Sequence, residues 1–158
     1  MKILLATDGS GHGDAAVDAI ARWRYAADSD VRIISVVEPP YVADALSGAG
    51  VNTSLYIDLE NMARERARAA VDKAAGQLRA HEGGLHLNVT TDVLDGSPKR
   101  VILEDADTFG ADLIIVGSHG HGMLERFLLG SVSQAVALHA KCSVEIVRNP
   151  IARTHART

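Results

Sequence analysis

The stretch ADLIIVGSHGHGMLERFLLGSVSQAVALHAKCSVEIVR, Ala111 to Arg148, holds the whole fold in miniature. It opens on a nearly continuous apolar run, Asp112–Gly117, and closes on a shorter one, Ser143–Arg148. An apolar run without polar alternation suits a strand covered on both faces. Between the two, Gly117, Gly120 and Gly122 alternate with His119 and His121, and Gly130-Ser131 opens a helix. A turn needs fewer glycines. Strand, loop, helix and strand in that order make a parallel crossover, which is right-handed.

Three more apolar runs lie upstream: KILLAT (2–7), VRIISVV (31–37) and LHLNVTTDV (85–93). The first two are again continuous. The third alternates Leu85, Leu87 and Val89 against His86, Asn88 and Thr90, the pattern of a half-exposed edge strand. The segments between read as helices. In 59–78, Leu59, Met62, Ala63, Ala67, Ala70, Ala74 and Leu78 recur at helical spacing, with Glu60, Arg64, Arg68 and Asp72 opposite. In 98–109, Ile102, Ala106 and Phe109 form a stripe, with Ser97 as N-cap, Pro98 at the first helical position and Gly110 as the stop.

Strand and helix therefore alternate, which predicts an α/β fold: one doubly wound domain over 1–150 with a five-stranded parallel sheet, order 3-2-1-4-5, and helices on both faces. The residues 151–158, IARTHART, read as a short tail. Residues 38–54 form the long irregular connection, of a length common in functional loops. In this order the winding reverses between strands 1 and 4. Their following loops, DGSGHG (8–13) and GSHGHG (117–122), meet there, where such folds bind ligands.

Composition narrows the field. The chain has 158 residues, 47% apolar and 23% charged, enough for one ordinary core. A net charge of −4 argues against nucleic acid or an anionic membrane surface as partner. No run approaches the ~20 apolar residues of a membrane span. The first ten residues are too short in apolar character for a signal peptide, and Cys142 has no second cysteine to pair with, so a reducing, cytoplasmic location is expected.

A polyphosphate requires several backbone N–H donors, close approach without Cβ atoms, and a helix N-terminus. Gly117, without a side chain, would let a ribose or base lie on the sheet edge, and Gly120 would supply a positive φ. The amides of Ser131, Val132 and Ser133 would point at the loop, with the Ser131 and Ser133 hydroxyls as further donors. Ser131 and Gln134 also have the spacing of a capping box, which needs no ligand. Gly-x4-Gly-Lys-Ser/Thr and a Gly-x-Gly-x-x-Gly opening the first helix are both absent. Charge compensation therefore falls to a divalent cation, Arg126 or the helix dipole, the last contributing up to ~2 kcal/mol.

The Gly117-x2-Gly120-x9-Gly130-Ser131 pattern, followed by VSQAVALHAKCSVEIVR, is similar to the ATP-binding signature of the universal stress protein family. ILLATDGS and ADLIIVGSHG resemble that family too. The resemblance spans Lys2–Arg148 and implies a homodimer that binds ATP, with or without Mg2+. It implies that Ala6, Thr7 and Asp8 flank the nucleoside and that Val37 touches adenine. Gly117, Gly120, Gly130, Ser131, Val132 and Ser133 would hold ribose and phosphates. The last strand, Val144–Val147, would form the dimer contact; lone-edge protection by Glu145 and Arg148 is the alternative. The family usually has Cys-Pro before that strand, where this chain has Cys142-Ser143. The implied role is a nucleotide-dependent dimeric switch of the stress response, read by another protein. A slow ATPase or phosphotransferase using the same pocket is the alternative.

Single residues have two readings each. Asp8 is a ligand to the nucleoside or to a metal near the phosphates, or simply a turn aspartate in TDGS. His119 and His121, and more weakly His12, line a phosphate pocket or face water; two ligands do not make a closed metal site, and no metal is assigned. Arg126 reaches a terminal phosphate or pairs with Glu125. Met123, Phe127, Leu128 and Leu129 anchor the loop on the sheet. Trp23 and Cys142 read as core. Asp8, His119 and His121 show no legible base-and-orienter arrangement, so no catalytic residue is assigned.

Overall fold

The computed structural model describes residues 1–22, 28–39, 53–80, 87–120 and 129–148. Strands β1 (Lys2–Ala6), β2 (Ser29–Val37), β3 (Leu87–Asp95), β4 (Leu113–Gly117) and β5 (Ser143–Val147) alternate with helices. The helices are α1 (Gly11–Arg22), α2 (Thr53–Ala80), α3 (Pro98–Phe109) and α4 (Ser131–His139). The sheet has the order β3-β2-β1-β4-β5, and every pairing is parallel. Fold class and strand order are those that the alternation of apolar runs and helices predicts.

Strand side chains alternate between the two faces, and each face has its own core. Ile3, Leu5, Ile33 and Ile115 pack under α1 and α2, against Val17, Ile20, Val71 and Leu78. Leu4, Ile34, Ile114 and Val116 pack under α3 and α4, against Ile102, Ala106 and Val136. The central strands are apolar throughout because both of their faces are covered. At the edge, β3 is half exposed and alternates at its start, as expected for a strand with one neighbour.

Several boundaries differ from the sequence expectation; β2 begins at Ser29, two residues before Val31. β3 runs to Asp95, two residues past Val93, because its ladder follows β2 to the end at Val37↔Asp95. α2 begins at Thr53, six residues before Leu59. Its core stripe passes through Leu78, Ala74, Ala70 and Ala67 and continues through the half-buried Ala63, Glu60 and Tyr56. Leu59 and Met62 instead stand 51% and 47% exposed, the reverse of the predicted stripe. The cause is length. Arg64 bonds Asp95 at 3.0 Å, so it lies level with the end of β3. The residues 53–63 therefore reach ~16 Å past the sheet edge, at 1.5 Å per residue. Among the described residues, no strand continues beneath them, and the stripe is only half-buried there.

α3 follows its signals. Pro98 starts it, and Gly110, at φ 69°, ends it with its cap N–H bonding carbonyls of the last turn. Ser97 occupies the N-cap, but its side chain makes no cap hydrogen bond. Arg32 ties β2 to α3 and β3, donating to Asp105 at 2.8 and 2.9 Å and to Asp92 at 3.1 Å. These contacts, the Asp105 hydrogen bond foremost, raise its guanidinium above the usual arginine value.

Glu145, in the middle of β5, has a buried Oε2 with no hydrogen-bond partner. Desolvation pushes its carboxyl above the usual glutamate range. An acid raised in the folded state favours folding below its unfolded pKa, about 4.3, and that advantage is lost as pH rises through the folded value. Glu145→Gln should therefore be more stable than the parent at pH 7, the gap closing as pH falls to 4. Urea midpoints at the two pH values read this directly; an unchanged or lower midpoint at pH 7 contradicts it.

Candidate functional site

The site forms where the sheet reverses its winding. Ala6 of β1 lies level with Ile34 of β2 and Val116 of β4, so the loops leaving β1 and β4 emerge side by side. The first loop is self-bonded. Thr7 N–H extends the ladder to Ile34 O at 3.0 Å, and Thr7 Oγ1 accepts the Gly9 N–H at 3.2 Å. Asp8 Oδ1 accepts the Ser10 N–H at 3.0 Å, an Asx turn, and Ser10 Oγ accepts the Gly13 N–H at 3.3 Å. The turn reading of TDGS is thus satisfied, and it also presents Asp8 to the cleft. Gly9, at φ 77°, passes under α2, where an added Cβ would lie 3.1 Å from Ala70 Cβ.

The second loop hangs on Ser118, which is 1% exposed. Its N–H donates to Val147 O of β5 at 2.8 Å. Its carbonyl accepts the Gly130 N–H at 2.8 Å and the Ser133 hydroxyl at 3.1 Å. Its own Oγ lies 3.1 Å from His119 Nδ1. Ser118 was not among the residues singled out from sequence. Its place between two signature glycines was the available signal.

The signature glycines also serve packing within the chain. An added Cβ at Gly117 would meet the His12 backbone at 2.9 and 3.0 Å, so bareness there seats α1 on β4. Gly120 is not at positive φ; an added Cβ would lie 2.7 Å from Asp8 Oδ2. Gly130, at φ −61° and ψ 152°, is pressed against Ser118 O, 3.0 Å from where its Cβ would be. Each glycine lets one piece of chain approach another.

Gly130, not Ser131, is the N-cap of α4, so the Ser131–Gln134 capping box does not form. With glycine at the cap, no side chain caps the first turn. The amides of Ser131, Val132 and Ser133 are then left to the cleft, at the positive end of the helix dipole. Ser133 is a correction in part: its hydroxyl is turned inward, bonding Gly130 O at 2.9 Å and Ser118 O at 3.1 Å, and adds no donor to the cleft. Ser131 is exposed.

These elements enclose a cleft of about 440 Å³. One wall is apolar, made by Ile34, Val36, Pro98, Ile102 and Val116. The polar lining comprises Thr7, Asp8, Ser118 and His119 together with the first residues of α4. Of the residues assigned to the nucleotide from sequence, Ala6, Thr7, Asp8, Gly117, Gly120, Gly130, Ser131, Val132 and Ser133 line it, as does His119, whereas Val37 and His12 do not. Strand alternation turns Val37 to the opposite face, and Val36 takes the place beside the cleft. His12 and His119 stand with ring centroids 5.4 Å apart. Among the described residues, no cluster of three metal-ligating side chains occurs. Trp23, His121, Arg126, Glu125, Met123, Phe127 and Leu128 lie outside the described residues, and Leu129 is half-buried.

Chemically the cleft offers an apolar slot for a flat ring, one carboxylate, and a helix N-terminus for an anion. Fold and cleft together define a doubly wound α/β protein with a cleft at the topological switch point, where such folds bind ligands. A family model described as the universal stress protein family matches residues 1–148. The chain belongs to that family. Universal stress protein MJ0531 of Methanocaldococcus jannaschii is 33% identical over 150 residues, 94% of this chain and 82% of that one. Universal stress protein A homolog 2 of Coxiella burnetii is 42% identical over 105 residues, 64% of each chain.

Solved structures share the fold. Hypothetical protein MJ0577 superposes with a TM-score of 0.77 at 24% identity, covering 93% of this chain and 94% of that one. A universal stress protein in complex with cAMP gives 0.64 at 24% identity, over 94% and 97%. An Arabidopsis thaliana family member with AMP bound gives 0.65 at 15% identity, over 99% and 97%. No helix among the described residues is long and apolar enough to cross a membrane.

Proposed function

We propose that the cleft binds an adenine nucleotide, ATP in the first instance, and that the protein is a nucleotide-dependent regulator rather than an enzyme. One observation carries this reading: the uncapped first turn of α4 opens onto a cleft whose other wall is apolar. Phosphates would take the Ser131–Ser133 amides, and the base would enter the slot of Val36, Pro98 and Ile102. Ribose hydroxyls would donate to Asp8. The cAMP and AMP complexes of structurally similar proteins support the choice of adenine. Mg2+, where it accompanies ATP, would be carried chiefly on the phosphates, as is usual for that ion.

β5, an edge strand, is the proposed contact for a second copy, and occupancy of the cleft would be read by another protein through that assembly. Calorimetric titration with ATP, ADP, AMP and cAMP tests the binding. Absence of binding to all four overturns it. The competing reading, an ATPase or phosphotransferase, requires turnover approaching ~1 s⁻¹, the low end of ordinary enzymes. Single-turnover ATP hydrolysis orders of magnitude slower is expected here.

A further inference from the structure

Building on the nucleotide reading, we propose that Arg32 and Asp105 are positioning residues that set the gap into which the base fits, and so give the base its share of the affinity. Neither lines the cleft. They act through the two surfaces that would hold a base between them. One is the end of β2, where Ile34 and Val36 line the cleft. The other is the start of α3, which brings Pro98 and Ile102.

Arg32, Ile34 and Val36 share one face of β2, with the Arg32 Cα about 7 Å behind that of Ile34. Pro98, Ile102 and Asp105 follow the i, i+4, i+7 spacing of one helix face, which puts Asp105 one turn behind Ile102. The two rows meet in a fork: Arg32 Nε donates to Asp105 Oδ2 at 2.8 Å, and Nη2 to Oδ1 at 2.9 Å. Nη2 also donates to Asp92 Oδ2 at 3.1 Å, which ties the guanidinium to β3. The fork is largely withdrawn from solvent, its two side chains being 22% and 13% exposed. In front of it, the Gly96 N–H donates to Val37 O at 3.0 Å and fastens the turn before α3 to the end of β2. The helix is held at two points, with the slot beside the first and the fork behind it.

Between those points α3 rests on apolar contacts, Ile102 and Ala106 against Leu4 and Ile34. Such contacts are non-directional: they resist separation but set no angle. A two-bond fork between planar groups fixes distance and angle together. Farther along α3, Lys2 Nζ donates to the Phe109 carbonyl and Lys141 to Asp107. Both ties are exposed, where such contacts contribute little. Without the fork, α3 would turn about the Gly96 bond and carry Ile102 with it. A flat ring in the slot depends on contact at van der Waals distance, and a gap of about 0.5–1 Å forfeits roughly a quarter to a half of that attraction. The phosphate end has its own fastening, the Ser118 carbonyl bonded to the Gly130 N–H and the Ser133 hydroxyl. Loss of the fork should therefore weaken the base and spare the phosphates.

The test is calorimetric titration of the full chain with ATP, with adenosine and with inorganic tripolyphosphate, which separate the base from the phosphates. It compares the parent with an Arg32→Met/Asp105→Leu double variant and with Asp105→Asn, melting temperatures being taken alongside. Exchanging a shielded ion pair for apolar side chains of similar volume is often neutral or stabilising, so the double variant removes the fork and keeps the packing. Its melting temperature should stay within about 4 °C of the parent or exceed it. Its affinity for ATP and for adenosine should fall about tenfold, and its affinity for tripolyphosphate should stay within about twofold. Asp105→Asn keeps the shape and weakens the fork; it should move the same ligands in the same direction by less, and it carries the test if the double variant does not fold. ATP and adenosine affinities unchanged in a folded variant overturn the positioning role. So does a parallel fall for all three ligands together with the melting temperature, the result of a pair that serves stability alone. Both outcomes leave nucleotide binding by the parent intact. No binding of ATP by the parent overturns the nucleotide reading itself, and this proposal with it.

Discussion

Gly130→Asp is expected to lower ATP affinity at least about a hundredfold, roughly 2.7 kcal/mol, while the protein stays folded. Gly130 is the N-cap of α4 at φ −61° and ψ 152°, a backbone conformation open to any residue. An aspartate there is among the best N-caps. Its carboxylate would bond the second- or third-residue amide and add about 1 kcal/mol to the helix. Those are the donors assigned to the phosphates. The variant would thus fill the cradle with its own carboxylate and add a like charge beside the ligand. Against this stands a Cβ contact of 3.0 Å with Ser118 O, which requires a shift of a few tenths of an ångström. Melting temperature and ATP titration should therefore part company: little change in the first, loss in the second. ATP affinity retained in a folded variant would show that the phosphates sit elsewhere.

Gly117→Ala should do the opposite and strike stability first. Its Cβ would lie 2.9 Å from the carbonyl carbon of His12 and 3.0 Å from its oxygen, main-chain atoms of a helix packed on the sheet. Neither can swing aside as a side chain does, so α1 must shift. Overpacking of this kind costs about 1–3 kcal/mol. For a domain of this size a loss near the middle of that range lowers Tm by about 4–8 °C. Differential scanning calorimetry measures it, and an unchanged Tm would mean that α1 is not seated as described.

How much of this was legible beforehand depended on whether a residue's neighbours are local. The sheet order was readable because β1 and β4 are unbroken apolar runs, which only a strand covered on both faces tolerates. The overhang of α2 was not. Leu55, Leu59 and Met62 keep helical spacing with the buried stripe, and periodicity carries no record of where the sheet beneath stops. Val37 missed the cleft by one position, the smallest error possible in a strand and the one that reverses its face.

The signature glycines line the cleft, but the chain packed against each of them was not readable from their spacing. A missing side chain shows that space is needed, while the identity of the occupant (His12 at Gly117, the Asp8 carboxylate at Gly120, the Ser118 carbonyl at Gly130) is set by distant chain. Ser118 went unnoticed for the same reason. Its worth lies in main-chain bonds, to which any residue type contributes.

Those bonds give Ser118 a mechanical meaning. Its amide is tethered to the last residue of β5, and its carbonyl grips the cap of α4. One residue, through the two peptide groups that flank it, thus links the sheet's outer seam to the turn proposed as the anion cradle. A neighbouring chain zipped onto that seam would tug on the cradle through a lever a single residue long, and a tightened cradle would pull back on the seam.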